Sequence, residues 1–263
     1  MIDIGANLAS SSFDSDLSAV IERAFEANVE KIIVTGSCYE SNEKSLDICR
    51  AYPEQLYCTA GLHPHHASDW SPALEEQIAQ SLQLKPVVAI GETGLDYNRN
   101  FSSPQEQRFS FAKLLELAQQ SEHPLFLHQR DAHEDFFAML GEHSALAPRA
   151  VVHCFTDRGE ALEAYLEMGT MIGITGWLCD KKRGERLRDI VHLIPDDRLL
   201  IESDAPYLMP NRDKIRKTMA QKNRNEPCTL PHVVELLASL RGQAPEHVIE
   251  SSTANAKRFF NLT

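Results

Sequence analysis

A chain of 263 residues, 43% apolar and 24% charged, has the composition of an ordinary globular protein and enough length for one sizeable core. It has no run approaching eighteen apolar residues and no basic leader ahead of a small-residue cleavage site, so the pattern excludes a membrane span and a secretory signal. A formal charge of −12 argues against broad nonspecific coating of nucleic acid, which depends on many Lys and Arg contacts to phosphate.

Along the chain, short β-branched runs alternate with longer segments of helical period. The runs fall at 1–4, 31–35, 57–61, 87–91, 124–128, 150–153, 171–174 and 199–202. Helices are predicted between them at 14–27, 41–51, 73–82, 105–121, 133–143, 158–168 and 183–192, with two closing helices at 231–240 and 245–260. Asn28 and Gly169 stand where helix C-caps are expected. Eight βα units are the count that closes a barrel, and such barrels of about 250 residues commonly form one domain. The expected fold is therefore α/β, a single (β/α)8 TIM barrel over 1–263. Six scattered cysteines with no Cys-x-x-Cys pair read as free thiols of a cytoplasmic protein.

Two places could supply local positive charge for a polyanion. One is Lys181 through Arg188; the other is Ala205 to Glu226, with six basic against two acidic residues. The stretch 210–227 is long for a connection and follows the last strand, which places it at the active-site mouth of a barrel.

The most informative pattern is that ionisable residues sit at, or just after, the C-terminal ends of successive strands, the face that carries barrel active sites. His63 follows the third strand, Glu92 and Asp96 the fourth, and His128 and Arg130 stand at the fifth. His153 ends the sixth, and Glu202 and Asp204 end the eighth. Polar groups gathered at buried strand ends need a shared explanation, and a divalent cation supplies one. Glu92, His128 and His153 are the expected ligands, with Asp204 beside them. Two imidazoles with carboxylates suit zinc or manganese, while magnesium prefers oxygen and water, so the residue types leave the metal open. The default for any single histidine is a hydrogen-bonded structural group, and the same default makes Glu202 a partner in a buried ion pair. His63 is expected to contact substrate; His65 and His66 read as loop residues. Arg99, Arg130 and the basic residues after strand eight are candidate phosphate contacts, against the plain alternative of solvated loop charges.

Six ordered motifs carry a resemblance over essentially the whole chain: Gly61-Leu-His-Pro64, Ile90-Gly-Glu-Thr-Gly-Leu-Asp96, Leu127-His128, His153-Cys-Phe155, Glu202-Ser-Asp-Ala-Pro-Tyr-Leu208 and Arg224-Asn-Glu-Pro227. In these the chain resembles the TatD family of metal-dependent deoxyribonucleases, within the amidohydrolase-like barrels. The resemblance implies phosphodiester hydrolysis with a 3′ to 5′ exonuclease tendency, a place in DNA repair or turnover, and metal ligation by Glu92, His128 and His153. It also implies that Asp204 is a ligand or an acid/base group. Many relatives carry His-x-His on the first strand, whereas Gly5 and Asn7 stand at those positions here, which looks like one branch of the family. Asn7 offers a weak oxygen and Gly5 nothing, so one well-held ion is expected, with a second absent, weak or brought by substrate.

The expected substrate is a single-stranded end, DNA with RNA also admitted, because a narrow mouth can take one with few phosphate contacts. Magnesium is the expected working ion, with manganese or zinc compatible; no membrane or obligatory protein partner is expected, and the chain reads as a monomer. The rival readings are an amidohydrolase acting on a small amide or cyclic substrate, and a noncatalytic nucleic-acid-binding protein with a degenerate metal site.

Overall fold

The computed structural model describes residues 1–210, 215 and 223–262. Its eight strands are β1 (Ile2–Ala6), β2 (Lys31–Val34), β3 (Leu56–Ala60), β4 (Val87–Asp96), β5 (Leu125–Arg130), β6 (Ala150–Val152), β7 (Met171–Ile174) and β8 (Leu199–Ile201). They pair in parallel in chain order. The intervening helices are α1 (Leu17–Glu26), α2 (Tyr39–Ala51), α3 (Pro72–Ser81), α4 (Pro104–Gln119), α5 (His133–Glu142), α6 (Gly159–Glu167) and α7 (Glu185–Ile190). Two later helices, α8 (Leu230–Arg241) and α9 (Pro245–Phe259), complete the described residues. This is the expected TIM barrel. Asn28 and Gly169 both have left-handed backbones, φ 61° and 87°, as their C-cap positions require.

Local chemistry sets the helix starts. Ser103 caps α4 by accepting from the Glu106 N–H, while Glu106 accepts in return from the Ser103 N–H, and Pro104 occupies the first turn, where no donor is needed. α3 also has a serine cap and a first-turn proline, Ser71 accepting from the Leu74 N–H at 3.2 Å ahead of Pro72. Inside the barrel, Ile2, Ile4, Ile33, Phe126, Val151 and Leu200 pack together, and Phe260 and Leu262 join them from beyond α9. A larger apolar layer lies between the strands and the helices.

The seam between β8 and β1 is closed largely beyond the strand ends. The Asp204 N–H donates to the Gly5 carbonyl at 2.9 Å, and the Asn7 N–H to that of Ala205 at 2.7 Å. Asp3 bridges the same seam, its Oδ1 accepting from the N–H groups of Ser203 (2.9 Å) and Gly5 (3.2 Å). Asp3 is fully buried, and its Oδ2 has no hydrogen-bond partner among the described residues. Burial pushes its carboxyl up from 3.8 to about 7, against the backbone hydrogen bonds that favour the charged form.

The sign of the resulting pH dependence is definite. A carboxyl raised in the folded state contributes its full stability below the unfolded value and loses it as pH rises through the folded one. Asp3→Asn keeps the acceptor oxygen and removes the titration. Urea unfolding should therefore show the variant gaining on wild type by roughly 2–3 kcal/mol between about pH 5 and pH 8. A constant difference across that range would mean that Asp3 ionises normally.

Candidate metal centre

The site is built where β4 departs from regular pairing. Gly91 is level with Phe126 and Thr93 with Leu127, so Glu92 is the extra residue in a register shift between β4 and β5. Gly91 permits this: its φ is 146°, and a Cβ there would lie 2.2 Å from the Phe126 carbonyl oxygen. The Glu92 N–H then donates to the Gly36 carbonyl at 2.7 Å, fixing the backbone with the carboxylate in the mouth.

Three imidazoles converge on one oxygen of that carboxylate. Glu92 Oε1 lies 2.7 Å from His153 Nε2, 2.9 Å from His128 Nδ1 and 3.3 Å from His63 Nε2. Burial alone would raise Glu92, yet His63, His153 and His128 hold it well below the usual carboxylate range. Burial opposes protonation of His153 and His128, but their carboxylate neighbours prevail and both are raised. His63 goes the other way, with burial lowering it to about 4.

What lies behind each ring sorts the three. His63 Nδ1 accepts from the His65 N–H at 3.0 Å, so a neutral His63 carries its proton on Nε2 and presents an N–H to the site. Behind His153, Nδ1 meets Glu202 Oε2 at 3.3 Å; behind His128, Nε2 stands 3.4 Å from Asp96 Oδ2. A carboxylate behind a ring favours the proton on that side and leaves the other nitrogen's lone pair for a metal. His63, Glu92 and His128 have ligand atoms within 4.8 Å of one another and so form a candidate trio by distance. Tautomer chemistry instead favours His153 over His63 as the second imidazole.

Asp204 stands across the mouth, half-buried, with Oδ1 accepting from Asn7 Nδ2 at 3.0 Å. Burial pushes its carboxyl up to about 8, with Glu92 and Glu202 adding to the shift and His153 opposing it. Three residues here are left-handed without being glycine, Cys154 (φ 44°), Asp204 (φ 51°) and Leu208 (φ 53°), so the mouth carries backbone strain. A divalent cation fits this surplus of acceptors: it would offset the carboxylates and displace protons from ring nitrogens already aimed at one point.

Glu202 is the buried ion-pair partner expected of it. Besides facing His153, its Oε1 accepts from the Cys154 N–H at 2.6 Å. It also explains why the first strand has no side chain at residue 5, since a Cβ on Gly5 would lie 2.4 Å from Glu202 Oε2 and 2.9 Å from Phe126 Cζ.

A cavity of about 1020 Å³ opens over the centre, lined by every one of the expected site residues: Asn7, His63, Glu92, Arg99, Arg130 and His128, His153, Asp204. Lys181 and Arg183 line it too, but Arg188 turns away to donate to the carbonyls of Leu178, Asp180 and Lys181. Arg224 is a correction to the basic-loop reading. It is buried and paired with Asp16 at 2.7 Å and Glu226 at 2.8 Å, so it is committed to structure. The rest of that stretch, 211–214 and 216–222, lies outside the described residues. His65, read as a loop residue, in fact lines the cavity, its Nε2 2.8 Å from Asp96 Oδ2. The His-Pro-His spacing was the available signal, because Pro64 starts a 3-10 turn that sets the His63 and His65 rings 4.2 Å apart.

The family described as TatD related DNase matches residues 2–261. The chain belongs to this family. A relative from Dickeya dadantii, named 3′-5′ ssDNA/RNA exonuclease TatD, is 47% identical over 99% of this chain and 97% of its own. Among solved structures, a TatD homologue from Escherichia coli superposes with a TM-score of 0.88 at 28% identity, covering 100% of this chain and 98% of the other. An uncharacterised amidohydrolase from Saccharomyces cerevisiae has the same fold, with a TM-score of 0.85 at 22% identity over 98% of this chain and 99% of its own. TatD-related DNases are metal-dependent nucleases, which agrees with a donor set gathered for a cation.

If Glu202 orients His153 for a metal, Glu202→Gln should weaken Mn²⁺ binding to metal-free protein on the order of 10- to 100-fold by calorimetric titration. Unchanged affinity with lowered thermal stability would make Glu202 a purely structural partner.

Proposed function

We propose that this chain is a metal-dependent 3′ to 5′ exonuclease hydrolysing phosphodiester bonds at the ends of single-stranded DNA, and of RNA as well, with 1–263 acting as one unit. The observation that carries the reading is the floor of the cavity, where three imidazoles surround one Glu92 oxygen and Asp204 faces them. The name carried by the Dickeya relative supports the polarity and the substrate.

In this reading Glu92, His128 and His153 hold the divalent ion, with Asp204 beside it. Magnesium is the working ion, and manganese and zinc suit the same donors. When bound, the ion supplies Lewis acidity and lowers the pKa of a water. The protein's own groups do the rest. Asp204, oriented by the Asn7 amide and favoured as a carboxylate once a cation's charge stands beside it, receives the proton of the attacking water. The N–H on His63 Nε2 donates to a phosphate oxygen as charge gathers there. Arg99 and Arg130 meet the flanking phosphates, and Arg130 is steadied by the Trp177 ring 5.7 Å away. Cations around the mouth suit a phosphate better than the neutral amide of an amidohydrolase.

Glu92→Gln and His153→Ala should each lower turnover on end-labelled single strands on the order of 100-fold or more while the far-ultraviolet circular dichroism is kept. Near-normal cleavage by either purified variant would remove the metal assignment. Linear single strands should disappear while closed circles of the same sequence survive, and equal loss of both would rule out attack from an end.

A further inference from the structure

The cavity mouth carries two side chains that the proposed chemistry does not use. Among the described residues, the two most exposed large apolar side chains are Phe101 at 65% and Tyr207 at 58%, and both line this cavity. Large aromatic surface left in water at a binding mouth points to a ligand that covers it.

Both rings are presented by anchored backbone. Asp96 Oδ1 accepts from the N–H groups of Asn98 and Arg99 at 2.9 Å each, which fixes the turn leading to Phe101. Beyond it, the buried Ser102 donates through its hydroxyl to the His65 carbonyl at 3.1 Å. The His65 ring then meets Phe101 at 4.8 Å and 88°, locating the phenyl group while most of it stays in solvent. On the other lip, the Tyr207 N–H donates to the Asp204 carbonyl at 2.9 Å, and the Asn225 N–H donates to that of Pro206 at 3.0 Å.

Their placement follows from topology. Phe101 lies on the loop after β4 and Tyr207 on the segment after β8, strands four apart in an eight-stranded order and therefore opposite each other on the rim. Glu92 comes from the first of these strands and Asp204 follows the second, so the reactive centre lies between the two aromatic rings. The third aromatic at the mouth, Trp177, is already engaged: Arg183 lies 4.4 Å and Arg130 5.7 Å from its ring centre, and its indole N–H donates to the Arg183 carbonyl.

We propose that Phe101 and Tyr207 are base-stacking platforms, one for each nucleotide flanking the phosphate to be cleaved. This rests on the nuclease reading above. Stacking uses the π-face that every base has, so it selects for unstacked, single-stranded ends without selecting sequence. A duplex keeps its bases engaged with one another and offers neither ring a face.

The experiment uses the whole protein and 5′-labelled single strands in which the last or second-last nucleotide lacks its base. Wild type should lose about 5- to 100-fold in kcat/KM at one or both abasic positions. Phe101→Ala and Tyr207→Ala should lose a similar factor on the complete strand, chiefly through KM, and each should then ignore the missing base that its ring would have held. Tyr207→Phe, which keeps the ring, should lose much less than Tyr207→Ala. Equal cleavage of complete and abasic strands by wild type, or an abasic penalty undiminished in both alanine variants, would overturn the stacking assignment and leave the nuclease reading intact. Failure of wild type to cut any strand would overturn both.

Discussion

A carboxylate held in a protein interior demands compensation, and the architecture around Glu92 answers that demand. One oxygen gathers three imidazole nitrogens from β3, β5 and β6 strand ends, within 3.3 Å. Nothing in a single strand could do this, because each ring comes from a different βα unit and only barrel closure aims them at one point. The second carboxylates, Asp96 and Glu202, stand behind two of the rings, 3.4 Å from His128 Nε2 and 3.3 Å from His153 Nδ1. The arrangement is thus layered: acid, imidazole, acid, with the innermost acid on a bulge that turns it into the mouth.

The first strand shows how tightly the layers are fitted. Glu202 occupies the space that a side chain at residue 5 would need, so Gly5 and the Glu202–His153 pair are mutually dependent. Asn7, on the same strand, is turned to Asp204. Residues 5 and 7 are therefore both in use, one as room for a buried carboxylate and one as a donor to the group across the mouth.

Much of this was legible in the sequence, and the misses have physical causes. Strand ends were visible because apolar runs stop abruptly at polar residues, and that spacing alone located Glu92, His128, His153 and Asp204. The length of β4 was not visible: the sequence pattern breaks at Gly91, but the strand continues to Asp96 because Phe126 and β5 accommodate the bulge. His65 looked like a loop residue because its partner, Asp96, is 31 positions away and meets it only in the folded barrel. Arg224 was counted with the basic loop because its partner Asp16 is 208 positions away. Local pattern reports which residues share a strand or a turn. It cannot report which distant charge will neutralise which.

The seam between β1 and β8 couples closure of the barrel to completion of the site. The N–H of Asp204 and the carbonyl of Ala205 are the groups that join the last strand to the first, through Gly5 and Asn7. The contacts that close the barrel also set the Asp204 carboxylate opposite Glu92. A chain lacking β8 would therefore lose Asp204 and, with it, the closure that aims the rings at Glu92.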